Sequence, residues 1–273
     1  ATPKILFLTF TNHLNAGGEI FRINRILEEI KKDGKCQELI LLADPLSRFS
    51  LRTLLDKKYP LVYGYYDRSI VQQASAKARE LSKAWKAISS VQKKRLLQYQ
   101  QQDLFSGLQY NLDFLYSTEF IQLTITFYLT FKKIIAQENI KAIVLSSQNN
   151  IFEKCLTAAA QQHQIPVFVI QHGTGLATLQ SIDAPEQVKF AVFGDYYKKK
   201  LRELGVKEEN IRSTGPIIFD GIEEYRRLST PQEKSSPTLL LMTSPLVEDR
   251  FLPLETYFER VRNIIRNLKQ LNL

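Results

Sequence analysis

The sequence predicts an α/β fold: a Rossmann-like parallel sheet with a helical insertion and the start of a second lobe. Three observations carry this reading. Short apolar runs such as Ile5-Leu6-Phe7-Leu8 and Val167-Phe168-Val169-Ile170 read as strands buried on both faces. Segments of helical period alternate with them, so crossovers should join parallel strands. Between about 69 and 137 this alternation gives way to helical periodicity alone.

The first strand is the run Lys4 to Phe10, followed by a polar loop, Thr11 to Glu19, that carries Gly17 and Gly18. Ile20, Ile23, Leu27 and Ile30 recur at helical spacing, and Lys31-Lys32-Asp33-Gly34 is a C-terminal stop. Leu39 to Leu42 is the second strand. In the insertion, Leu81, Trp85, Ile88 and Val91 predict one face of a basic amphipathic helix. A second helix is expected from about Leu112 to Gln137, with one stripe of Phe120, Leu123, Phe127, Phe131 and Ile134, and another of Ile121, Ile125 and Tyr128. Strands then follow at Ala142–Leu145, Pro166–Ile170, Phe190–Phe193 and Ile211–Thr214, with helices at Phe152–Gln162 and Tyr197–Leu204. Another helix is expected to begin over Glu223–Arg227. The polar, proline-bearing run 228–236 reads as a linker closing a domain of residues 1–227. A strand at Thr238–Met242 and a helix from Leu254 to about Leu268 cannot bury a core of their own, so 237–273 reads as the opening of an incomplete second domain.

Composition narrows the function classes. The chain has 273 residues, 44% hydrophobic and 24% charged, enough to bury a core. Two cysteines, Cys36 and Cys155, exclude a disulfide scaffold and a four-thiolate zinc site and suit a reducing, cytoplasmic setting. No apolar run reaches the length of a membrane span, and the start lacks the layout of a signal peptide. The formal net charge is +9, and much of the excess lies between Arg68 and Gln102, where eight cations face one acid, Glu80. That stretch is either a solvated helix face or a surface for an anionic membrane or charged acceptor, with Lys83, Lys86, Lys93 and Lys94 as its contacts. No nucleic-acid-binding module accompanies the charge, so nucleic acid is not an expected partner.

Three histidines are the natural candidates for chemistry. His172 directly follows a buried strand and is flanked by Gly173 and, beyond Thr174, Gly175. Ligands of parallel α/β sheets bind beyond the carboxyl ends of strands, and a histidine there can take a proton from a hydroxyl nucleophile. Asn12 and His13, with Gly17 and Gly18, sit at the corresponding end of the first strand. That loop is not G-x-G-x-x-G, which argues against a dinucleotide site. His163 reads as a solvated helix end, and Cys155 as core. Ser146-Ser147-Gln148-Asn149-Asn150 either binds polar substrate groups or caps the next helix. Thr243 and Ser244, after the strand at 238–242, join the substrate-binding candidates. No spacing of histidines and cysteines suits a metal, and no metal or other cofactor is expected.

Gln171-His172-Gly173-Thr174-Gly175 resembles the H-G-T segment of CDP-glycerol glycerophosphotransferases and the Q-H-G of surface-polysaccharide transferases. Phe193 to Val206, followed by Ile211-Arg212-Ser213-Thr214-Gly215-Pro216, resembles the end of the N-terminal half of GT-B glycosyltransferases and of UDP-GlcNAc 2-epimerases. The Gly17-Gly18 loop is similar to the glycine-rich first loop of that fold. The resemblance spans Lys4 to Asp220 with the helical insertion unmatched. The proline and lysine of H-G-T-P-L-K are replaced here by Gly175 and Ala177.

The resemblance implies the acceptor-side half of a GT-B enzyme. His172 would be the base, Gly215 and Pro216 the interdomain segment, and a nucleotide-sugar or CDP-activated donor would react with a glycan or glycolipid acceptor in polysaccharide biosynthesis. Such an enzyme would be cytoplasmic and peripheral at the inner face of the membrane. Two other readings stay open: a non-catalytic acceptor- or membrane-binding subunit that needs a partner chain, and a sugar-nucleotide 2-epimerase. This length of chain alone is expected to transfer little, because the donor-side lobe is incomplete.

Overall fold

The computed structural model describes residues 2–10, 13–14, 20, 23–43, 59–148, 150–171, 173, 186–217 and 253–270. The chain divides into two compact units, Ala1–Asp220 and Gly221–Leu273. The first holds a six-stranded sheet made of β1 (Lys4–Thr9), β2 (Gln37–Leu42), β5 (Ile140–Leu145), β6 (Val167–Ile170), β7 (Val188–Val192) and β8 (Ile211–Ser213). Their order is β2-β1-β5-β6-β7-β8, and every neighbouring pair is parallel. The predicted Rossmann-like sheet is present. The order reverses at β1, which pairs with β2 on one side and β5 on the other.

Side chains of β1 alternate between two cores. Phe7 faces the core formed with Ile23 and with Leu27 of α1 (Asn24–Asp33). Leu6 and Leu8 face the other, larger core. α1 ends where Gly34 takes a left-handed φ of 67°, which a glycine adopts without steric cost.

The region read as an insertion contains α2 (Arg68–Ala87), α3 (Ser90–Leu96), a small antiparallel hairpin of β3 (Gln98–Tyr99) and β4 (Gln102–Asp103), α4 (Leu104–Leu115) and α5 (Thr118–Gln137). Three expectations are corrected here. The basic stripe is not one helix: α2 stops at Ala87, Ser89 caps α3 through the backbone N–H of Gln92, and Val91 lies exposed on the second helix. The buried stripe of α2 is instead Ile70, Ala74, Ala78 and Ser82, small side chains spaced four apart that let it lie along α5. The second expected helix is two, separated at Tyr116 and Ser117, where the Ser117 hydroxyl accepts from Phe120 N–H.

α5 belongs to the core of the sheet. Phe127, Phe131 and Ile134 are fully buried with Leu6, Leu8, Ile143 and Leu145. Leu123, assigned to its buried stripe, is exposed, while Thr126 and Thr130 are buried. Both threonines donate their hydroxyls one turn back, to the carbonyls of Gln122 and Thr126, at 2.7 Å, so no polar group is stranded.

α6 (Ile151–Gln162) and α7 (Asp195–Glu203) complete the unit, with Leu156, Ala159 and Leu201 in the same core. Cys155 is buried as expected, and desolvation pushes its thiol up to about 11. In the second unit, α8 (Leu254–Gln270) is described; the linker 228–236 and the strand at 238–242 lie outside the described residues.

A polar clasp ties β1 to the end of α5. Lys4 Nζ donates to Glu138 Oε2 at 2.6 Å, and Tyr65 Oη donates to Glu138 Oε1 at 3.1 Å. Burial, then the hydrogen bond to Glu138, pushes the Tyr65 phenol from 10.0 up to about 12. A raised folded-state pKa stabilises the fold below the unfolded value and loses that contribution as pH rises through the folded value. Thermal melts between pH 10 and 12 should therefore fall more steeply for the native protein than for Tyr65→Phe. Parallel slopes in the two proteins would remove Tyr65 from the alkaline transition.

Candidate functional site

The strand order reverses between β1 and β5, and it is at the carboxyl edge beside such a reversal that open α/β sheets form a ligand crevice. Two buried polar pairs stand there. From β1 and its loop, Thr9 Oγ1 and His13 Nδ1 lie 3.2 Å apart; His13 is 6% exposed. The His13 backbone N–H donates to Phe10 O at 2.9 Å, folding the loop back on the strand end. From beyond β5, Ser147 Oγ donates to Glu153 Oε2 at 2.9 Å, and Glu153 is completely buried.

The sequence builds this geometry locally. Asn150 caps α6, its Oδ1 accepting from the N–H groups of Phe152 and Glu153 at 3.1 and 3.2 Å. Glu153 thereby sits in the first turn, where the helix dipole favours negative charge. Phe10 links the two halves: its ring meets the His13 ring edge-on at 5.4 Å and the Phe152 ring at 5.9 Å. Phe152 rests in turn on Phe127 at 4.3 Å, so an aromatic column supports the crevice from beneath. The side-chain amide nitrogen of Gln148, between β5 and α6, is buried and has no hydrogen-bond partner among the described residues. A ligand acceptor would satisfy it.

The next strand ends contribute further positions. Gln171, directly after β6, accepts from Phe193 N–H at 2.7 Å and donates to Gly173 O at 2.9 Å, fixing both flanks of position 172. Thr214 N–H donates to Val192 O at 2.8 Å, and Gly215 follows with a left-handed φ of 77°. His13, Gly173 and Gly215 are thus placed at carboxyl ends of β1, β6 and β8. Asn12, Gly17, Gly18, His172, Thr174, Thr243 and Ser244 lie outside the described residues. His163 is the exposed C-cap of α6. Among the described residues no three His, Cys, Asp or Glu side chains cluster as a metal site would require.

Sequence reasoning missed Glu153 and Thr9. Glu153 had a readable signal: it shares the face of Leu156 and Ala160 at spacings of three and seven, an acid on an otherwise apolar helix face. Thr9 had none, because a threonine ending a strand is ordinary.

No family model and no curated protein matches the chain. Among solved structures it is similar to the UDP-GlcNAc 2-epimerase from Neisseria meningitidis bound to UDP-GlcNAc, with TM-score 0.47, 11% identity, and 82% of this chain and 50% of that one covered. It is also similar to a putative UDP-N-acetylglucosamine 2-epimerase from Listeria monocytogenes (TM-score 0.44, 13% identity, 91% and 51% covered). A third is the S. aureus MnaA-UDP co-structure (TM-score 0.43, 11% identity, 85% and 49% covered). The chain spans about half the length of each. Epimerases of this kind are one of the families that the Thr214-Gly215-Pro216 segment resembles.

Proposed function

We propose that this crevice is the acceptor side of an enzyme that transfers a group from a nucleotide-activated donor, a GT-B-type glycosyltransferase, to a hydroxyl of a surface glycan or glycolipid. The observation that supports it most is the pair of buried polar couples, Thr9–His13 and Ser147–Glu153, at the carboxyl ends of the two strands between which strand order reverses. A sugar presents several hydroxyls at fixed angles. A hydroxyl, an imidazole and an amide nitrogen without a partner among the described residues, each just beyond a strand end, match that chemistry. The H-G-T resemblance at His172 adds the reactive group.

In this reading the acceptor oxygen forms a bond to the anomeric carbon of the donor while the bond from that carbon to the phosphate oxygen breaks. The electron pair leaves with the nucleotide, and the acceptor proton passes to the imidazole of His172. His13, oriented at Nδ1 by Thr9, and Ser147, oriented by the buried Glu153, hold the acceptor. The leaving phosphate needs stabilisation from the donor side. In the glycerophosphotransferase variant the same base serves, and the transferred group is glycerol phosphate.

The test incubates the intact protein with UDP- and CDP-activated donors, with and without short glycan acceptors, and follows nucleotide release and the anomeric signals of the sugar by NMR. Acceptor-dependent release supports a transferase. Conversion of the donor sugar without acceptor or release would assign a 2-epimerase instead. Acceptor binding with no turnover would leave a binding subunit, and binding of neither donor nor acceptor would overturn the reading.

A further inference from the structure

α3, the β3–β4 hairpin and α4 pack together into a unit with an inside and an outside. Its inside is built on Trp85 of α2. Tyr116 stacks on the indole at 4.3 Å with an interplanar angle of 12°, and Asp113 accepts from Trp85 Nε1 at 2.9 Å. Lys93 lies over the ring at 4.1 Å and is only 9% exposed, with Phe105 beside it. Lys93 was expected on the basic surface and is instead an internal strut, because the indole face attracts its ammonium. Lys94, expected there too, pairs with Asp103 at 3.2 Å, and Asp103 also caps α4 through Ser106.

The outside is apolar in open solvent. Tyr110 is 86% exposed, Val91 77% and Leu96 72%. Tyr99, Leu104, Leu108, Phe114 and Leu115 are exposed as well. Gly107, Tyr110 and Phe114 share one face of α4, and Leu104, Leu108 and Leu115 another. Exposure of this many large apolar side chains in one short region marks an interaction surface.

Charge decides what covers it. All three acids of the region are engaged internally: Glu80 with Lys77 at 2.6 Å, Asp103 with Lys94, and Asp113 with Trp85. Among the described residues Lys83, Lys86 and Arg95 make no ion pair. Exposed aliphatic and aromatic side chains beside unneutralised cations match the boundary of an anionic bilayer, where side chains enter below headgroups that pair with the cations. A second copy would bring the same cations against these across a two-fold contact.

We infer that the α3–hairpin–α4 unit docks on an anionic lipid surface through Val91, Leu96, Tyr99, Tyr110 and Phe114, with Lys83, Lys86 and Arg95 on its phosphates. This docking stands independently of the reaction proposed above. The experiment is co-sedimentation of the intact chain with vesicles of phosphatidylcholine alone and of phosphatidylcholine mixed with phosphatidylglycerol. Binding should require the anionic lipid and weaken with salt. Lys83→Gln/Lys86→Gln/Arg95→Gln should weaken it roughly a hundredfold, each cation being worth about fivefold. Val91→Gln/Leu96→Gln/Tyr110→Gln should abolish it, while both variants keep the native melt because every altered side chain is exposed. Equal binding to both vesicles, or binding that neither variant changes, would overturn the proposal. So would sedimentation showing that the apolar variant turns a dimer into a monomer with no vesicle binding in the native chain.

Discussion

His172→Ala in the intact protein should lower turnover by about 10²–10⁴ and leave the melting temperature in place, the range typical for loss of a positioned general base. Position 172 is the second residue after β6, and its neighbours Gln171 and Gly173 are joined to each other, and Gln171 to Phe193, by hydrogen bonds that do not involve the imidazole. The anchoring of this strand end therefore survives the substitution. His172→Gln should be equally inactive, since an amide cannot take the acceptor proton. Normal turnover with an unchanged melt would take His172 out of the reaction. Lost turnover with a collapsed melt would make it a structural residue, and the proton acceptor would then be sought at His13, beside Thr9.

Phe127→Ala should cost about 3–5 kcal/mol of stability, the usual result of emptying a buried phenylalanine site. Its ring is fully buried and meets Phe152 at 4.3 Å, Tyr63 at 5.9 Å and Tyr66 at 6.0 Å. These rings come from two separate segments and cannot all move into the void. For a unit of this size the loss corresponds to roughly 10 °C in the melt. Phe127→Leu should recover most of it. Because Phe152 precedes Glu153, the cavity should also loosen the carboxylate and weaken acceptor binding. An alanine variant with the native melt would show that the column carries no weight.

The sheet was legible because parallel strands are continuous apolar runs, and β1, β2, β5 and β6 fall where those runs are, although β6, expected to be buried on both faces, leaves Phe168 exposed on one. The helical region was legible as helical and illegible in detail. α2 buries alanines and a serine, which carry little hydrophobic signal, and shows Leu81 to solvent. The break at Tyr116-Ser117 lies inside an unbroken periodic pattern and is set by one hydroxyl on Phe120 N–H. The candidate site was half legible. His13 stood out by residue type and by its place after a strand. Its partner Thr9 and the couple Ser147–Glu153 are local contacts, and what was not legible is their juxtaposition, which depends on β5 pairing with β1, segments more than 130 residues apart in the chain.

That same pairing governs how the chain is made. β1 is synthesised first and is a central strand, yet its β5 edge stays open until residue 145 has been added. At cellular elongation rates this leaves an apolar strand edge exposed for on the order of ten seconds. β2 follows early and shields only the other edge. The clasp of Lys4 and Tyr65 on Glu138 closes at the end of the same wait, just before β5 emerges. The nascent chain is thus most open to mispairing while its helical region is being translated, and the stretch from Arg68 to Gln102, with eight cations and one acid, adds like-charge repulsion between chains during that interval.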